Sequence, residues 1–318
     1  MTKNIYKNYA LIIIATVIIS LIAILPIGIL GIVATALLAS VIGYTVTKHH
    51  YYFVGVVCVC VIAISALFSG DFYLTLVVNL PLILSGITLG IAYNLKLSEF
   101  KTTSIIAGIY TIYTLLNFKF LTQDNKDYFE NLLSDSIKNY SDAVANVYPE
   151  QFSQAQIQTI LGDALAVMMK FMPSFTIIMC ALLALLMLYT FKKVLKITKS
   201  DISFLNSFSE WHADRSFSIF FLLIALISFF LPERNYFSDA LANVVLVSVF
   251  VFYIFGLSMV DFLLGRKFKN KFTRRILLIL LITFSSGMPM LIFCFIGILD
   301  GIINIREKIT KNKLPEQE

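Results

Sequence analysis

Apolar residues run along this chain in long stretches. Neither the every-second-residue alternation of a half-buried strand nor the narrow stripe of a surface helix organises most of them. Crossing the roughly 30 Å hydrocarbon layer of a bilayer takes about 20 mainly apolar residues in a helix. With Pro, Gly and charged residues as punctuation, stretches of that size fall at 9–25, 27–47, 51–69, 73–95, 101–121, 168–191, 215–232, 239–265 and 275–303. Pro26 and Gly28 leave room for only a tight turn between the first two. A polar interlude at 122–164 separates the first five from the rest. The pattern predicts an all-α protein, a polytopic transmembrane helix bundle of about eight or nine spans with an extracytoplasmic amphipathic helical insertion. It divides into an amino-terminal bundle of five spans (1–121), the insertion (122–164) and a carboxy-terminal bundle of about four spans with basic loops (165–318).

Inside the interlude the period changes. Phe129, Leu132, Leu133, Ile137, Tyr140, Val144 and Val147 share one face of a helix, with Glu130, Lys138 and Asp142 opposite. Pro149 ends this helix, and Ser153 with Gln156 forms a capping-box pattern that opens the next. Its acidic character suits it to covering the mouth of the bundle rather than lying on anionic lipid, which favours basic faces. The final apolar stretch is interrupted by Ser285, Ser286, Gly287 and Pro289. This predicts either a kinked, partly re-entrant segment or a translocated tail.

Composition sharpens the assignment. The chain is 58% hydrophobic, has a mean hydropathy of +0.85 and carries only 14% charged residues, against about a quarter in soluble domains. The net charge of +6 does not point to nucleic acid, because the basic residues sit in short clusters beside apolar spans. They orient the chain instead. Lys3, Lys7, Lys48, Lys96, Lys101, the clusters at 192–199 and 266–275, and Arg215 fall on one side if the N-terminus is cytoplasmic. Asp124, Asp127, Glu130, Asp135, Asp142, Glu150 and Asp163 crowd the interlude on the other side. The basic N-terminal run has no clean cleavage signal after it and reads as a retained first span.

Candidate chemistry is sparse. Cys58, Cys60, Cys180 and Cys294 lie in apolar stretches without a CxxC pair or clustered histidines, so neither a metal site nor a cofactor is expected. No HExxH, GxSxG, Walker A or paired intramembrane aspartate signature is present, and an enzyme is not expected. Gly31, Thr35, Ala39 and Gly43 form a four-residue-spaced small stripe, continued in the fourth span by Gly86 and Gly90. Such stripes admit another backbone closely, either within the bundle or from a partner subunit. The ionisable groups placed inside spans are Asp261 and Asp300, where charge is costly, and Asn243, Asn79 and Asn117 add hydrogen-bonding groups to the interior. Asp261 lies shortly before Arg266, close enough to the helix end to snorkel to the interface, and Asp300 could join Asn304 and Arg306 in a buried knot. Phe204, Phe208 and Trp211 recur at helical spacing and predict an interfacial helix in a loop.

Several of these segments share an order with a known pattern. Pro173, then FLNSFSEW (204–211), Asn243, GLSMVD (256–261) and GILDGIINIR (297–306) follow one another, preceded by SGITLGIAYNLK around Gly86 and Gly90. The chain resembles the YybS-like family of bacterial membrane proteins over nearly its whole length. Where that pattern has proline after the loop tryptophan, this chain carries His212, Ala213 and Asp214. The resemblance implies a multi-pass protein of the bacterial cytoplasmic membrane without an assigned reaction. It also implies an amino-terminal part similar to the substrate-binding components of energy-coupling-factor transporters and to the cell-shape protein MreD. Two functions are therefore expected. One is a small-molecule-binding component that works with a transport-coupling subunit. The other is a cell-envelope scaffold or signalling-associated protein that holds envelope proteins. A polar-lined pocket toward the outer leaflet favours the first.

Overall fold

The computed structural model describes residues 2–24, 28–48, 51–124, 134–135, 138–139, 154–202, 207–231, 236–268, 270–284 and 288–311. Every regular element among them is helical. The helices are α1 (Thr2–Ile24), α2 (Ile29–Thr47), α3 (Tyr51–Ser69), α4 (Phe72–Asn94), α5 (Glu99–Asp124), α6 (Gln154–Ile197), α7 (Arg215–Phe230), α8 (Tyr236–Lys267), α9 (Lys271–Thr283), α10 (Met288–Ile303) and α11 (Ile305–Lys311).

Hydropathy explains the helices. Ile29–Thr47, Tyr51–Ser69, Thr75–Asn94, Gln156–Ile197 and Tyr236–Lys267 are long and apolar enough to cross a bilayer, and Ile12–Ala23, Arg215–Phe230 and Pro289–Ile303 are shorter apolar helices. Large apolar side chains point outward, among them Leu67 at 83%, Val59 at 65% and Phe229 at 83% exposure. Polar Ser40, Thr75, Ser85, Ser174 and Ser258 are buried. Apolar outside and small polar inside is the arrangement of a chain whose solvent is lipid.

Two units make up the fold, each discontinuous in sequence: Met1–Thr111 with Met179–Trp211, and Ile112–Ile178 with His212–Glu318. In the first, α1 to α4 pack on one another, with α2 against α4 as the most extensive contact. Ala36, Ala39, Leu89, Ile106, Ala184, Met187 and Leu195 form its core. Ser40 Oγ and Thr190 Oγ1 lie 2.7 Å apart, and each reaches the Ala36 carbonyl, so α6 packs closely on α2. Gly70, at φ 67, makes the turn from α3 to α4 in a conformation that side chains rarely adopt.

In the second unit α10 packs most extensively on α8, while α7 lies against both and α9 against α8. Gly256 and Gly297 make this possible. A Cβ at Gly256 would collide with the Phe293 carbonyl oxygen, and one at Gly297 with the Phe252 carbonyl oxygen. The backbones therefore cross in direct contact.

The structure interrupts the last apolar stretch as the sequence led one to expect, departs from expectation in one loop, and leaves one expectation aside. The last apolar stretch is split into α9 and α10, with α10 turning back so that Ile309 of α11 accepts a 3.2 Å bond from Arg266 at the end of α8. Among the described residues of the expected interfacial helix there is a single 3-10 turn at Phe208–Glu210, flanked by extended Ser207 and Trp211. Phe204 lies outside the described residues, as do Ser153 and most of the amphipathic helix expected over 129–147.

Candidate functional site

The candidate site lies in the first unit, at the end where α1 finishes, α2 begins, α3 finishes and α4 begins. There a cavity of about 310 Å3 opens between the four helices. Its polar lining is Ser20, Thr35, Ser65, Ser69, Thr75 and Asn79; Ala23, Leu38, Phe68, Val78 and Leu82 are its apolar lining, and each helix contributes both kinds. Phe68, at 63% exposure, and Val78, at 62%, stand at its mouth. The ends of α2 and α4 that carry Lys48 and Lys96 are at the opposite end of this unit.

Local sequence positions the polar lining. Thr75 Oγ1 donates to the Asp71 carbonyl at 2.7 Å and lies 2.6 Å from Ser69 Oγ, tying the α3–α4 turn into the cavity. Asn79 Nδ2 donates to the Thr75 carbonyl at 2.8 Å, and its Oδ1 lies 3.5 Å from Ser65 Oγ. Thr35 Oγ1 bonds back to the Gly31 carbonyl at 2.8 Å. Ser20 is the exception. It is 1% exposed, and its hydroxyl is buried without a hydrogen-bond partner.

The small-residue stripe is divided between two tasks. A Cβ at Gly86 would come within 2.7 Å of Ile42 Cβ and 2.9 Å of the Ala39 carbonyl oxygen. One at Gly90 would strike Val46, and one at Gly43 would lie 3.0 Å from the Gly86 carbonyl oxygen. Ala39, Gly43, Gly86 and Gly90 thus seat α2 on α4, while Thr35, one helical turn toward the other end, faces the cavity. Gly31 is half-buried beyond it.

At the other end of this unit stands a group that the sequence reading passed over. Glu99, in the first turn of α5, is 3% exposed, is ion-paired with Lys192 of α6 and accepts a 3.2 Å bond from the Trp211 indole Nε1. Phe208 packs against Trp211 with ring centroids 5.7 Å apart. The Tyr93 hydroxyl donates to the Asp201 carbonyl at 2.9 Å, holding the start of the same loop. In sequence Glu99 reads as an ordinary loop-end carboxylate. The signal that could have found it was the chain's single tryptophan beside a helix-capping turn.

In the second unit the intramembrane polar residues have named partners. Asp261, 2% exposed, does not snorkel out to the interface but is buried in a two-pronged ion pair with Arg274 of α9. Arg274 comes within reach because α9 folds back on α8 with Asn270 capping it, its side chain accepting from Phe272 N at 2.9 Å. Asp300 binds Arg306 at 2.7 Å, while Asn304, exposed and at φ 51, contributes its backbone turn. Both Arg266 and Arg306 lie 5.8 Å from the Phe262 ring centroid. Asn243 bridges two helices: its Nδ2 donates to the Lys170 carbonyl at 2.9 Å and its Oδ1 accepts from Ser174 N at 3.1 Å. These backbone groups flank Pro173, where the helix ladder lacks an N–H.

Residues 13–301 match the family model described as predicted membrane protein, DUF2232. The chain belongs to that family. The match covers both units and all the positions just described except Asn304, Arg306 and Ile309. No curated protein and no solved structure matches this chain. An integral membrane helix bundle, with a polar cavity in one unit and its buried carboxylates paired, is what sequence, fold and family together describe.

Proposed function

We propose that this membrane protein is the small-molecule-binding component of a transport system, holding its ligand in the cavity among α1, α2, α3 and α4. The cavity is the single observation that carries the reading: it is lined by both polar and apolar side chains and falls at the small end of the ~300–1,000 Å3 range of ligand pockets. The basic helix ends lie away from it, so the positive-inside rule supports an extracytoplasmic mouth, a cytoplasmic N-terminus and the bacterial cytoplasmic membrane that the YybS-like resemblance implies. A ligand meeting the protein from outside and an energy source supplied by a partner subunit follow the plan of energy-coupling-factor substrate-binding components. We also propose that the chain carries out no covalent chemistry. Glu99, Asp261 and Asp300 are each engaged by a lysine or arginine, which leaves none of them standing free to act as a general acid or base.

The alternative is an MreD-like scaffold of the cell envelope. One observation favours it: the Glu99–Lys192–Trp211 clamp orders a loop surface beside the basic cluster at 192–199, as a protein-binding face requires. Extraction into native lipid particles followed by mass spectrometry separates the readings. Copurification of a transport ATPase, a coupling subunit or a bound metabolite supports the first. Envelope proteins in stoichiometric amount, with no small molecule, overturn it in favour of the second.

A further inference from the structure

The chemistry of the cavity walls narrows what it can hold, granted the binding reading above. Among the described residues no charged side chain lines it. A ligand carrying a net charge would leave water for this lining without a counter-ion, a cost that hydroxyls and one amide do not offset. The polar lining can donate and accept, because Ser and Thr hydroxyls do both. Most of its members are already tied to nearby backbone: Thr35 to Gly31, Thr75 to Asp71 and Asn79 to Thr75. Ser20 alone among them has a buried hydroxyl with no partner. A buried polar group left unmade destabilises the protein that contains it, and native folds keep few of them. Its retention beside a cavity marks the place where a ligand atom completes the bond. Leu38 and Leu82, 2% and 3% exposed, supply buried aliphatic lining to the same cavity.

We propose that the cavity takes an uncharged small molecule with hydrogen-bonding and apolar groups, and that the Ser20 hydroxyl bonds one of its polar groups. The size excludes a peptide or an intact phospholipid.

The test uses two alkylating reagents of nearly equal size that differ in charge, neutral iodoacetamide and anionic iodoacetate. They are applied to Ser20→Cys in the full chain with Cys58, Cys60, Cys180 and Cys294 replaced by alanine. The same pair on Lys96→Cys, an exposed position, gives the reference ratio. We expect Ser20→Cys to react, with the neutral reagent favoured over the reference ratio by about tenfold or more, the equivalent of one unit of log affinity against a bare charge. Reaction at the reference ratio would show a reachable cavity that does not select against charge, which overturns this inference and leaves the binding reading standing. No reaction with either reagent, at Ser20→Cys or at the less buried Thr35→Cys, would remove the cavity and with it the binding reading itself. Any metabolite retained in the native lipid particles adds a second readout. An uncharged compound whose retention falls about tenfold in Ser20→Ala supports the proposal, and a charged one, or one indifferent to Ser20→Ala, sinks it.

Discussion

Charge placed inside a membrane helix is tolerated only when something nearby answers it, and each buried carboxylate of this chain shows how. Asp261 is enclosed at 2% exposure and gripped on both oxygens by Arg274, whose own side chain is 25% exposed. Breaking such a pair costs more than the pair contributes, because the survivor keeps its desolvation penalty. Asp261→Asn should therefore lower stability in lipid nanodiscs by about 3 kcal/mol, the low end of the usual range given the partial exposure of Arg274. The double change Asp261→Leu with Arg274→Met should recover most of that loss; a double variant no more stable than the single one would mean that the ion pair is not the source. Glu99 makes a comparable prediction with a cleaner reporter, since the chain has one tryptophan. Glu99→Gln removes the charge that holds both Lys192 and the Trp211 indole. Its fluorescence should move to longer wavelength as the loop loosens, and an unshifted spectrum would mean that the ring is held by packing with Phe208 alone.

Between elements, close approach does the work that apolar burial does in water. Lipid tails are as apolar as leucine, so helices associate through packing and interhelical hydrogen bonds. The chain's glycines sort accordingly. Gly90 faces Val46 and the Gly43 carbonyl so closely that any Cβ collides, whereas Gly55 has nothing within 4 Å of the same construction. Gly90→Ala should separate α2 from α4 and destabilise the first unit by about 1–3 kcal/mol, the ordinary cost of overpacking. Gly55→Ala should be neutral or stabilise by about 0.4–1 kcal/mol through the entropy of the unfolded chain. Thermal unfolding of both variants in the same lipid decides it, and equal effects would refute the packing assignment. Hydrogen bonding supplies the other half. Asn243 completes two backbone groups beside Pro173 that a straight helix would have served itself. An asparagine facing a proline break is thus as structural as any leucine in a soluble core.

At the scale of the molecule, hydropathy told the sequence reader where helices lie, because a run of apolar residues has few alternatives in a bilayer. The regular elements follow the expected stretches, with the last of them divided between α9 and α10. What the sequence could not reveal depended on partners brought together from distant positions. The cavity draws Ser20, Thr35, Ser65 and Thr75 from four helices, and isolated Ser and Thr residues are common in membrane helices without function. The partner of Asp261 was not legible either, because Arg274 reaches it only through the packing of α9 on α8. The return of α10 bears on the two topologies expected for the tail. A carboxy-terminal stretch that crossed fully would carry Arg306 and Lys308 to the side opposite Lys267. Here Arg266 Nη1 reaches the Ile309 carbonyl at 3.2 Å, so α11 and the α8–α9 turn share one end of the second unit. Lys267 and Lys308 are both exposed there, and Tyr236, 95% exposed, marks the far end of α8. With a membrane-impermeant maleimide on intact cells, Tyr236→Cys should label, whereas Lys267→Cys and Lys308→Cys should label only after permeabilisation. If Lys308→Cys were labelled from outside while Lys267→Cys was not, the tail would be translocated, and the bond between Arg266 and Ile309 could not exist in the membrane.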